Sequence, residues 1–314
     1  MAVTEATVQA GSRPSAGLGI YRAPLMGLMA LVLVFLWRMA AHAITVVNLR
    51  SFPDERLYFV GAAIGLVGCA LIWIGMQRDE LGGTLFGYMG GAFIWMGWFE
   101  SAFHGFSASL AIPTLMHNGQ PALTPGLLLM ESTAVILLAS LIFMGANKDT
   151  RCRMFLWFHR HFRLRPNKPT PGYRRQFARI TAIETVFVSW FMYIAIILAF
   201  DPRLLGMKHP VTVGIFYVVV AWGLYLVFFK LLRYRAMAGA VRYAIPTGGI
   251  LWLAVEMAAA WRWYPEIWVK PYEYPVTNVA ILAGFMALMA VVARAPARGE
   301  RSEAEAAAAA VAGR

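Results

Sequence analysis

The chain has 314 residues, 60% of them hydrophobic and only 14% charged. Soluble domains carry about 25% charged residues, so a water-soluble enzyme is not the expectation. The net charge is +12, but its placement along the chain points to membrane topology and anionic headgroups rather than nucleic acid.

The first 20 residues are polar and small. No cleavable signal peptide is expected, because the first apolar run is already long enough to span a bilayer. Eight such runs follow, at about 24–47, 58–76, 84–112, 126–145, 180–200, 211–232, 245–263 and 276–293. Turn-forming residues separate them, among them Pro53, Gly82-Gly83, Asn118-Gly119, Asp201-Pro202, Pro271 and Pro275. Two cysteines, Cys69 and Cys152, exclude a disulfide framework or a cysteine-rich metal site. The expected fold is an all-α integral membrane protein of about eight transmembrane helices.

The division expected along the chain is a polar segment over 1–22, helices one to four over 23–145, a basic loop over 146–179, helices five to eight over 180–294, and a low-complexity tail over 295–314. With the N-terminus inside, 21 Lys and Arg fall on the inner side and five on the outer. This asymmetry predicts cytoplasmic termini and fits a bacterial inner membrane. The basic loop interleaves Arg with Trp157, Phe158 and Phe162 before Pro166. That pattern predicts a short helix lying on anionic lipid headgroups. The segment from Tyr264 to Pro275 carries Trp268, Tyr272 and Tyr274 and reads as an aromatic interfacial loop.

Ionisable side chains within the spans carry the functional expectation, because a charge in hydrocarbon is costly. With a rise of about 1.5 Å per residue, Arg38, His42, Glu100, His104 and Glu131 fall in the outer half of the membrane. Glu256 is placed nearer the midplane. Glu100 and His104 share a helix face at i, i+4, as do Arg38 and His42. Donors converging from several helices make a metal site of His42, Glu100, His104, Glu131 and the loop residue His117 one expectation. Copper, iron and zinc all suit such donors. Arg38 would stabilise a carboxylate or an anionic intermediate, and Glu256 would move protons. The same groups read equally as a proton or substrate site, or as a hydrogen-bonded network that only ties helices together.

Glu100-x3-His104-x12-His117, followed by Ala122-Leu123-Thr124-Pro125, resembles the carboxylate–His–His element of the membrane C subunit of particulate methane and ammonia monooxygenases. This chain has Glu100 where that family has Asp, and Phe103 where it has Trp. The resemblance implies a metal-binding membrane oxidoreductase with ligands Glu100, His104 and His117.

Three functions are therefore expected in competition. One is a metal-dependent membrane oxidoreductase or its metal-bearing subunit. Another is a proton-coupled transporter or channel, in which Glu256 serves coupling and glycines in spans three and seven permit close packing. The third is an accessory or assembly subunit that docks on membrane partner subunits.

Overall fold

The computed structural model describes residues 20–53, 56–149, 155, 159, 162–168 and 174–296. The N-terminal segment up to residue 19, most of the expected interfacial helix with Cys152, and the tail from residue 297 lie outside the described residues.

The chain forms α1 (Leu25–Ser51), α2 (Arg56–Gly75) and α3 (Glu80–Ile94). A π-helical turn (Trp95–Glu100) and α4 (Ser101–Ser109) continue α3 without a gap. A hairpin of β1 (Leu115–His117) and β2 (Gln120–Leu123) follows, then α5 (Pro125–Glu131) and α6 (Ala134–Ala146). The second half holds α7 (Phe177–Phe200), α8 (Pro210–Phe229), a short 3-10 turn (Leu231–Arg233), α9 (Met237–Ala260) and α10 (Pro275–Ala293).

Seven helical segments are long and apolar enough to cross a membrane, with α5 and α6 counted together. Their outward faces are apolar too: Phe59, Val135, Phe143 and Val276 are each at least 75% exposed. A helix hydrophobic all round suits lipid, where the backbone must satisfy its own hydrogen bonds. The chain is an all-α integral membrane protein.

Local chemistry sets the helix ends. Asp79 caps α3 by accepting from the Gly82 amide at 2.9 Å. Pro125 and Pro210 open α5 and α8 at positions that need no amide donor. Asn118 and Gly119, at φ 50° and 75°, make the two-residue turn between the antiparallel strands β1 and β2.

Packing rests on glycine seams. A Cβ at Gly68 would stand 2.7 Å from the Gly90 carbonyl oxygen, and one at Gly97 2.5 Å from that of Gly61, so α2 and the α3–π segment touch backbone to backbone. On the opposite side of α3, a Cβ at Gly87 would meet the Ala178 oxygen at 2.4 Å. Such small-residue faces let helices approach closely where lipid supplies no hydrophobic drive.

Several sequence expectations change. The run expected at 84–112 is divided among α3, the π turn and α4. The run at 126–145 breaks after Glu131, where the Ser132 and Thr133 hydroxyls donate to the Leu129 and Met130 carbonyls at 2.7 and 2.6 Å. The seventh segment begins at Met237, not near 245, so Arg242 is helical rather than a loop residue. Its guanidinium is neutralised there by Glu80 at 2.5 Å and donates to Thr84 at 2.6 Å. In this longer α9, Glu256 stands about one turn before the end at Ala260.

Candidate functional site

Arg38, His42 and Thr45 recur at i, i+4 and i+7 along α1, so they form one stripe. Three other segments bring polar groups to it. From α9, Glu256 places Oε1 3.2 Å from His42 Nε2. Trp252, one turn earlier, donates its indole N–H to the same oxygen at 2.5 Å. The His42 ring stacks on Trp252 with centroids 5.7 Å apart. From the π turn, Glu100 accepts from Tyr193 of α7 at 2.9 Å and from Thr45 at 3.3 Å. Glu100 and Thr45 are buried.

Arg38 completes the set without pairing. Its Nε is buried and has no hydrogen-bond partner, and its side chain makes no ion pair among the described residues. A Cβ at Gly249 would come within 3.1 Å of Arg38 Nη2, so this glycine makes room for the guanidinium. A cavity of about 10 Å³ lies between α1, α7 and α9, lined by Arg38, His42, Tyr193, Trp252 and Glu256 with aliphatic neighbours. That is close to the space one water needs, and the polar lining gives it partners.

The remaining expected site residues lie elsewhere. Glu131, at the end of α5, accepts from Arg203 Nη2 at 2.6 Å. The same guanidinium grips Asp201 through Nε at 2.9 and 3.0 Å and through Nη2 at 2.6 Å. Asp201 is fully buried and Arg203 about half-exposed. Hydrogen bonds from Arg203 hold the Asp201 carboxyl below its ordinary range, and the acid in turn raises the guanidinium. This clamp ties α5 to the turn after α7. His104 packs against Gly126 of α5, where a Cβ would come within 2.5 Å of Nδ1. Its ring makes no hydrogen bond among the described residues. His117 sits exposed on the hairpin with Nε2 3.0 Å from Asn118 Nδ2.

The structure therefore joins Arg38, His42, Glu100 and Glu256 around one spot and sends Glu131, His104 and His117 to others. Among the described residues no three His, Cys, Asp or Glu side chains are grouped as a metal ion would need. Glu100, His104 and His117, the trio implied by the monooxygenase resemblance, are not brought together. Tyr193, Thr45, Trp252 and Asp201 are site or clamp residues that the sequence reading missed. Trp252 and Thr45 left a signal, Trp252 in its i, i+4 spacing to Glu256 and Thr45 in its place on the Arg38–His42 stripe.

No family model matches this chain, and neither a curated protein nor a solved structure matches it.

Proposed function

We propose that this chain is a proton-coupled membrane transporter or channel whose protonatable site is the His42–Glu256 pair. The observation that carries the reading is the 3.2 Å contact between an imidazole and a carboxylate inside the helical bundle. Intramembrane His and Glu are the usual material of proton relays. The charge balance agrees. Arg38 is always cationic, while Glu100 and Glu256 supply two carboxylates. With His42 neutral the four groups carry one net negative charge, and one added proton brings them to neutrality. Net charge is expensive away from water, so proton binding would be felt by the surrounding packing.

In this reading the α3–π–α4 segment is the eighth span, and both termini lie on the cytoplasmic side of a bacterial inner membrane. The basic segment between α6 and α7 would meet anionic headgroups. A metal-dependent oxidoreductase would need three or more donors at one point; the described residues offer pairs, which favours the proton over the metal.

Infrared titration of the purified protein in lipid tests this. The expected result is a carboxyl or imidazole band that changes with pH and disappears in Glu256→Gln and in His42→Ala. Identical pH-difference spectra from pH 4.5 to 9 for wild type and both variants would leave the pair a structural contact.

A further inference from the structure

Helices α1 and α9 lie side by side and meet over successive turns. A Cβ at Gly248 would stand 2.8 Å from Val34 Cγ1, and one at Gly249 3.1 Å from Arg38 Nη2. One turn beyond Arg38 comes the 3.2 Å contact of His42 with Glu256. Side chains on a helix lean toward its N-terminus, and the Glu256 carboxylate accordingly reaches back to the Trp252 indole. Arg38 and Glu256 thus approach each other from facing helices, and both line the cavity of about 10 Å³.

The two oxygens of Glu256 are unequal. Oε1 takes both the His42 contact and the Trp252 N–H. Trp252 is backed by Trp268, only 5% exposed, with centroids 5.0 Å apart. The interfacial role expected for Trp268 is replaced by this buried one. Oε2 accepts no hydrogen bond among the described residues. Across the cavity the guanidinium is also uncommitted. It carries five N–H donors, yet its Nε is buried without a partner and its charge is not paired. A carboxylate oxygen and a fixed cation, neither with a partner among the described residues, share a space of about one water.

We propose that Arg38 and protonated His42 compete for the Glu256 carboxylate. The guanidinium swings to Oε2 when the pair loses its proton, and withdraws to Gly249 when the proton returns. The inference rests on the proton-site reading above. A proton is exchanged with water and no electrons move; Glu256 changes one cationic partner for the other. With His42 neutral, Glu256 holds a full charge among neutral donors. A charge-assisted bond to Arg38 then relieves the carboxylate and the bare guanidinium together. With His42 protonated, the imidazolium satisfies the carboxylate and repels a second cation. The other titratable groups around these three are Glu100, Tyr88, Tyr193, Tyr264 and Glu266. Glu100 is already held through both oxygens by Tyr193 and Thr45. Glu100 and Glu266 do not line the cavity, so Glu256 is the acid that meets the guanidinium across it.

The test is infrared pH-difference spectroscopy of the full-length protein in lipid, with and without isotope-labelled arginine, so that guanidinium bands are recognised by their isotope shift. In wild type a guanidinium band is expected to shift over the same pH interval in which the pair's carboxyl or imidazole band changes. That shift should be lost in Arg38→Lys and in Glu256→Gln. A wild type whose pair titrates while no guanidinium band moves overturns the exchange alone, and needs no variant. So does a guanidinium shift that Arg38→Lys leaves in place, or one that it removes but Glu256→Gln keeps. A wild type whose pair bands do not respond to pH overturns the proton site, and the exchange with it.

Discussion

This molecule holds two acid–base clusters, and they differ in the partner given to the acid. At the rim, Asp201 and Glu131 share the guanidinium of Arg203, with contacts down to 2.6 Å. In the bundle, Glu256 meets an imidazole at 3.2 Å, while Arg38 stands nearby without an ion pair. A guanidinium keeps its charge at all ordinary pH values, whereas an imidazole changes charge near neutrality. The rim cluster is therefore a permanent fastener. The inner cluster, with the same residue classes, can change state.

The comparison can be broken at either end. The largest effect is expected inside. Glu256→Gln or His42→Ala should lower proton-driven flux in proteoliposomes at least about 100-fold, in the range lost when a proton-transfer group is removed. Flux above a tenth of wild type would erase the functional contrast between the clusters. At the rim, Arg203→Ala should cost about 2 kcal/mol of stability, since it strands two carboxylates that relied on charged hydrogen bonds. Thermal unfolding in detergent measures this, and the inner infrared bands should still titrate. A variant as stable as wild type would show the clamp to be idle.

Acid sharpens the same contrast. Asp201 is held below its ordinary value by Arg203. Its contribution is thus complete above the unfolded value, about 3.9, and is lost as pH falls through the lower folded value. Wild type should lose its stability advantage over Asp201→Asn only below about pH 4. An advantage that vanishes near neutrality would assign it to another group. Between the clusters, Tyr193→Phe removes one hydrogen bond to Glu100 and should cost about 1 kcal/mol, again read by thermal unfolding. The smallest effect is expected at His104. His104→Ala should leave flux and the metal content measured by mass spectrometry at wild-type values. Metal lost in that variant would return the monooxygenase-like trio to the centre of the problem.

Much of the fold was legible because membrane-length apolar runs are an unambiguous signal. The Asn118-Gly119 turn was equally plain, since its backbone demands those residues. Arg242 was misplaced for a physical reason: hydropathy counts a charge as an end to the span, and cannot see that Glu80 neutralises it from another helix. The break at Ser132 was invisible for a similar reason, because hydroxyl-to-backbone bonds leave no trace in a hydropathy profile. At the site, His42 and Glu100 come to one cluster, but position along a helix says nothing about direction around it. Glu131 turns to Arg203 instead, and Glu256 proved to be the nearest partner of His42.

The π turn at Trp95–Glu100 has a consequence for how this chain could change over generations. Such a turn is an α-helix carrying one surplus residue. Losing a single codon there would restore regular winding and leave everything beyond it facing nearly as before, because six residues wound as a π turn and five wound as α sweep nearly the same angle. Glu100 would keep Tyr193 and Thr45, and the His104 ring its niche at Gly126. The segment thus holds one letter that the chain could give up without turning the helix beyond it. Among variants of this chain, one residue fewer between Trp95 and Glu100 is expected to leave α4 facing the same neighbours.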